Sequence, residues 1–252
     1  MKQLVIVLAA VALVAPSKVR ADGSARQSAA GAQEDPAMAR KQLVEELKRQ
    51  GITDAGVLRA IEAVARHRFV PDAQQALAYA DQPLAIGHGQ TISQPYVVAF
   101  MTAAAHVHPG SNVLEVGTGS GYQTAVLAEV MGLGPGGAPA GSRLASMEIL
   151  APLADRAKAI LKELGYDVTL RQGDGYAGWP ERAPYDAIVV TAAPDHVPDP
   201  LEQQLAVGGR LVIPVGEGVQ RLTVITRTEK GFTEETLLPV RFVPMTGEAE
   251  RR

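Results

Sequence analysis

The 252-residue chain contains no cysteine. That excludes a disulfide framework, a zinc–thiolate or iron–sulfur site and a thiol nucleophile, and it removes the usual clue to redox compartment. Aromatic residues make up only 4% of the chain, so a core drawn from its 46% hydrophobic content must rest mainly on Val, Leu, Ile and Ala. With 25 Gly and 17 Pro as loop punctuation, this is the composition of an α/β protein. Neither sign of charge dominates: 24 Lys and Arg stand against 27 Asp and Glu. A nucleic-acid partner bound through a general basic surface is therefore not expected. Long apolar runs are scarce as well. The one that stands out, residues 4–15, is too short for an anchored membrane helix but has the form of an export-signal core behind Lys2. Val19, Arg20 and Ala21 offer a cleavage site, and residues 22–36 have the composition of a flexible linker. In a second reading the protein starts at Met38, just before the first amphipathic pattern. Location stays open between the cytoplasm and export, and no stable membrane anchor is expected.

From Met38 onward two parts are expected. Leu43, Val44 and Leu47 share one face of a helix that stops at Gly51. Thr53 and Asp54 cap a second, with Val57, Leu58, Ile61 and Val64 inward. A loop-rich stretch over 67–94 follows, and Pro95 opens a helix through Val97, Val98 and Met101. Seven candidate strands then lie at 112–116, 144–148, 167–171, 186–191, 210–214, 222–226 and 239–243. Helical stretches at 123–131, 153–164 and 200–205 separate the first five, the βαβ rhythm of a doubly wound, mostly parallel sheet. The last two strands are joined through a turn at 229–231 and can pair antiparallel at the sheet edge. Residues 133–142 form a Gly/Pro-rich surface insertion.

The sharpest local signal is LEVGTGSGY over 114–122, placed between a strand and a helix. Gly117, Gly119 and Gly121 let backbone approach a ligand closely and aim a helix N-terminus at it. The alternative is a tight turn that binds nothing. The spacing is GxGxG rather than the GxGxxG of dinucleotide folds, and Glu115 would confront a pyrophosphate with negative charge. A zwitterionic sulfonium amino acid fits better than NAD, its ammonium suiting a nearby carboxylate. Glu148 ends the second strand, where two oxygens can accept both hydroxyls of a ribose. Asp174 follows the third strand in GDG over 173–175, where a carboxylate can take an adenine amine beside glycines that leave room for a ring. For each acid the plain alternative is a solvated strand end or turn. At the other pole, Ser93 and Gln94 stand before Pro95 and present a hydroxyl and free N–H groups to an anion; the plain alternative is a helix cap. His67 and His88 could act as bases, although lone histidines are more often solvated or structural. Neither a metal-ligand spacing nor a GxSxG nucleophile motif is present.

Residues 38–252 resemble the protein-L-isoaspartate (D-aspartate) O-methyltransferases. The resemblance rests on HRFVP at 67–71, GHGQTISQPY at 87–96, LEVGTGSGY at 114–122, GDG at 173–175, YDAIVVT at 185–191 and RFVPM at 241–245. The TIS block is the specific one, because the glycine turn is shared by many S-adenosylmethionine enzymes. The resemblance implies a Rossmann-like fold with N-terminal helices and substrate loop over 38–108, a cofactor core over 109–228 and a closing segment over 229–252. It implies S-adenosyl-L-methionine as cofactor, with Glu115, Gly117, Thr118, Gly119 and Gly121 holding the methionine part, Glu148 the ribose, and Asp174 and Gly175 the adenine. Thr246 belongs to the closing segment, and Ser93 is the active-site serine. The implied partners are proteins or peptides bearing isoaspartyl residues, met by a monomer. The rival readings are a methyltransferase for a small molecule or RNA, a binding module on an inactive methyltransferase fold, and a nicotinamide oxidoreductase. The insertion at 133–142 and the N-terminal extension depart from the short family form.

Overall fold

The computed structural model describes residues 35–137 and 141–251. The signal-like run and the linker up to residue 34 lie outside them. Two amphipathic helices open the body, α1 (Pro36–Arg49) and α2 (Ala55–Ala63). Asp35 and Asp54 cap them through their side chains, accepting from the N–H of Ala37 and Val57. Leu43, Val44 and Leu47 of α1 and Val57, Leu58 and Ile61 of α2 are buried, as their helical spacing predicts.

The stretch expected to be merely loop-rich is more ordered. It holds two 3₁₀ turns and a small antiparallel hairpin, β1 (Leu84–Gly87) and β2 (Gln90–Ile92). Three- and four-residue strands carry too little alternation to announce themselves. Helix α3 (Pro95–Ala105) starts at the expected proline.

The main sheet has seven strands: β3 (Asn112–Val116), β4 (Arg143–Glu148), β5 (Thr169–Gln172), β6 (Tyr185–Val190), β7 (Leu205–Val215), β8 (Gln220–Thr228) and β9 (Gly231–Val240). Their spatial order is β5-β4-β3-β6-β7-β8-β9, parallel from β5 through β7, with β8 and β9 added antiparallel. The crossover helices are α4 (Tyr122–Val130), α5 (Ala151–Glu163) and α6 (Asp199–Gln203). Several boundaries differ from expectation, two of them instructively. The seventh strand lies at 231–240 rather than 239–243, because an exposed edge strand has no buried face to write alternation into its sequence. Leu205, expected at the end of a helix, instead begins β7, where it pairs with Tyr185.

Strand β3 is buried along its whole length. Val113 packs with Leu127 and Ala128 of α4, whereas Leu114 and Val116 pack with Tyr185 and Ile188 on the opposite face. Alternation therefore turns Glu115 toward α4. Helix α4 is buried nearly all round because α1 and α2 form a further layer over it, with Ile61 and Phe69 in one cluster with Tyr122 and Val126. This layering places the Gly-rich turn and the start of α3 at the mouth of one cleft, where β4 and β6 leave β3 on opposite sides. In open α/β sheets that position is where ligands bind. Among the described residues no helix is long and apolar enough to cross a membrane.

Candidate active site

The turn after β3 is shaped by close approach. Gly117 has φ +97°, and a methyl group there would overlap Thr191 Oγ1 at the end of β6. Thr191 donates from that oxygen to the carbonyls of Gly117 (2.5 Å) and Val116 (3.2 Å). On the other side the N–H groups of Gly117 and Thr118 both donate to Met147 O, at 2.8 and 3.0 Å. Gly121, at φ +88°, begins α4, and a Cβ there would pack on Ala157 and Leu161 of α5. The turn is thus clamped between β4 and β6.

Glu148 is 5% exposed. It accepts from Gly119 N at 2.8 Å through Oε2 and from Leu150 N at 2.9 Å through Oε1. Each carboxylate oxygen keeps a second lone pair for a ligand hydroxyl. Gly175 lies so close to β3 that a side chain would overlap Val116 Cγ1. The far wall comes from the C-terminus. Ala193 N donates to Val243 O and Met245 N to Ala193 O, at 2.9 and 2.8 Å, which lays residues 243–246 along the end of β6.

Seven of the ten expected site residues line this cleft: Ser93, Gly117, Thr118, Gly119, Glu148, Gly175 and Thr246. Counting its open mouth, the cleft encloses about 810 Å³. Sequence reasoning missed Ser120, Gln123, Thr191 and the apolar pair Ile149 and Leu150, which also line it. Thr191 was visible as the end of a strand, but its side-chain direction had no local signal. Neither His67, bonded to Tyr79 Oη at 2.6 Å, nor His88 at the hairpin tip is in the lining.

Three expected contacts are placed elsewhere. Gly121 serves the helix start and its packing. Asp174 accepts from Tyr176 N at 2.9 Å and from Glu248 N at 2.8 Å, so its carboxylate ties the loop after β5 to the C-terminal segment. Glu115 lies behind the turn, fully buried, and its Oε2 accepts from Thr124 and Ser146 hydroxyls, each at 2.5 Å. Ser146 Oγ in turn lies 2.6 Å from Thr118 Oγ1. Burial outweighs these donors and, with Glu148 nearby, raises the Glu115 carboxyl to about 8. It keeps its proton at neutral pH and supports the turn from beneath, rather than offering an ammonium group a carboxylate at the surface of the cleft.

The sign of the pH effect follows. In the unfolded chain this group ionises near 4.5, whereas in the fold it holds its proton to about 8. Its contribution to stability is full below the lower value and is lost as pH rises to the upper one, at up to about 1.4 kcal/mol per pH unit. In Glu115→Gln that slope should vanish. Thermal melts of both proteins from pH 5 to 8 check this; parallel curves would mean that Glu115 ionises normally.

The glycine turn, Glu148 and Ser93 thus line one cleft, and sequence comparison places the chain in a family. The family model for protein-L-isoaspartate(D-aspartate) O-methyltransferase matches residues 38–250. The chain belongs to this family. It is 54% identical over 207 residues to the protein-L-isoaspartate O-methyltransferase of Gloeobacter violaceus, covering 81% of this chain and 96% of that one. It is 53% identical over 216 residues to that of a Picosynechococcus species, covering 84% and 93%. Among solved structures, a protein-L-isoaspartate O-methyltransferase superposes with TM-score 0.75 at 29% identity, over 83% of this chain and 67% of that one. A Plasmodium falciparum protein assigned the same activity, solved with S-adenosyl-L-homocysteine, gives 0.72 at 29% identity over 82% and 98%.

Proposed function

We propose that this protein transfers a methyl group from S-adenosylmethionine to the free α-carboxylate of L-isoaspartyl residues, and to the side-chain carboxylate of D-aspartyl residues, in damaged proteins and peptides, a first step in their repair. Residues 38–252 are read as the catalytic body, although α1 and its cap begin slightly earlier, at Asp35. Family membership supports the reading. The observation that carries it is the Ser93 hydroxyl, which opens into the same cleft as the glycine turn and, among the described residues, has no hydrogen-bond partner. It is not the cap of α3: that position belongs to Gln94.

The cleft suits the cofactor because Gly117, Gly119 and Gly175 line it without side chains while Glu148 retains acceptor capacity for sugar hydroxyls. When bound, S-adenosylmethionine supplies an electrophilic sulfonium methyl. The protein's task is placement. An α-carboxyl has an ordinary pKa of about 3.3–3.7, so the acceptor arrives ionised and needs no general base. Ser93 would donate to one carboxylate oxygen and leave the other free to attack, in line, the methyl group that the bound cofactor would supply with the sulfide as leaving group. Ile92, Val98, Val243 and Met245 line the cleft with apolar surface that excludes water from the reacting atoms, and alignment supplies much of the barrier reduction. The ester then closes to a succinimide without the enzyme.

The test is direct. Methyl transfer to an isoaspartyl peptide should exceed transfer to its aspartyl twin by at least about 100-fold, since only the former carries a free backbone-type carboxylate at that residue. Equal labelling would leave a methyltransferase but remove the repair assignment.

A further inference from the structure

The start of α3 is capped from a distance. Asp81, which lies in the loop before β1, is half-buried, and its Oδ1 accepts from Tyr96 N at 2.8 Å. Its Oδ2 accepts from Gln94 Nε2 at 2.9 Å and from Gln50 Nε2 at 3.0 Å. Pro95 has no N–H, so Asp81 takes the N–H of the second helical residue and also the side chain of the capping one. The anion expected at this helix entrance is therefore a residue of the protein itself, and the Ser93 hydroxyl is left for the cleft.

The same loop is anchored to the cofactor turn. Arg66, fully buried, donates from Nε to Ala78 O at 2.8 Å and from Nη2 to Gln82 O at 3.3 Å. Its guanidinium lies 4.7 Å over the ring of Tyr122, the first residue of α4, which follows Gly121 and lines the cleft. Asp81 thus sits in a segment whose position is set by Tyr122 on one side, and it sets the position of Gln94 and Tyr96 on the other. Ser93 adjoins Gln94.

We infer that Asp81 is the positioning residue for Ser93: it fixes the entrance of α3 relative to the cofactor turn, so that the serine hydroxyl meets the acceptor carboxylate in line with the methyl group. The inference rests on the proposed function and deepens it. Asp81 touches neither substrate nor cofactor; its effect passes through Ser93.

Asp81→Asn tests this, because an amide has one acceptor oxygen and cannot serve three donors. The measurements are kcat/KM for an isoaspartyl peptide and the Kd of S-adenosylmethionine by calorimetry. The expected result is a loss of at least about tenfold in kcat/KM with a Kd changed less than about twofold. In a Ser93→Ala background the same substitution should cost less than about twofold, since residues that act through one another are not additive. Asp81→Asn combined with Gln94→Glu reverses the 81–94 hydrogen bond and should recover kcat/KM to within about threefold of wild type. A loss of equal size in both backgrounds, a cofactor Kd that worsens in step with peptide turnover, or an unchanged kcat/KM would overturn the inference. If Asp81→Asn shows no melting transition, Gln94→Ala removes a single bond and is carried through the same two backgrounds; an additive loss, or none, overturns the inference equally. The wild-type preference for isoaspartyl over aspartyl peptide tests the proposed function separately, so the two can fail independently.

Discussion

Gly117→Ala should abolish cofactor binding while leaving a folded protein. The residue sits at φ +97°, a left-handed conformation that costs an L-residue about 1–2 kcal/mol. The added methyl would also overlap Thr191 Oγ1, an atom held by its bonds to two carbonyls of the turn. Overpacking of that kind costs about 1–3 kcal/mol. The turn can relieve both only by shifting away from β6, which displaces residues 118–120 from the cleft they line. A rise of at least about 100-fold in the Kd of S-adenosylmethionine is expected, equivalent to about 2.8 kcal/mol. Far-UV circular dichroism should be unchanged. Adding Thr191→Ala should return part of the affinity, because it removes the overlap but not the backbone strain. Cofactor affinity within threefold of wild type in the single variant would show that the turn does not carry the ligand.

The second large effect is expected for Glu148→Ala, through both ligand and fold. Its carboxylate satisfies the N–H of Gly119 and of Leu150 in a setting where the residue is 5% exposed. A buried N–H left without its partner costs about 1–3 kcal/mol, so the turn and the start of α5 should loosen together. The ribose hydroxyls lose their acceptors as well. Calorimetry should find cofactor affinity weakened at least about 100-fold, with a lower melting temperature even before ligand is added. Loss of affinity with no change in the apo melting temperature would mean that Glu148 serves only the ligand and that its bonds to the turn are dispensable.

Much of this site was legible because its signals are local. A strand followed by three glycines in five residues, an acid at the end of the next strand, and a proline that begins a helix are each a matter of a few adjacent residues. Their placement at one cleft then follows from the doubly wound order of the strands. Where the signals were not local, the expectation went astray. Glu115 had been read as an acid at the surface of a ligand site; the alternation of a strand covered on both faces turns it instead toward Thr124 and Ser146. Asp174 was read as an adenine ligand; in the fold its carboxylate also holds the N–H of Glu248, a residue far along the chain, a tie that no local pattern announces. Strand β9 was displaced because exposed Thr233, Glu234, Glu235 and Thr236 have no buried face to mark them.

Sequence alone determined what depends on covalent neighbours: the cap of α2, the start of α3 at Pro95, the tight turn at Gly117, and the βαβ rhythm that makes the sheet parallel. Tertiary structure alone decided which oxygen meets which N–H across distant segments. The helix entrance near Ser93 reads as a site for a substrate anion until the loop carrying Asp81 folds over it and takes the N–H of Tyr96. The C-terminal segment becomes a wall of the cleft only when Ala193 exchanges hydrogen bonds with Val243 and Met245. The physical reason is the same in both cases. A backbone or carboxylate group has to be satisfied wherever it is buried, and the partner that satisfies it is selected by packing in three dimensions rather than by its place along the chain.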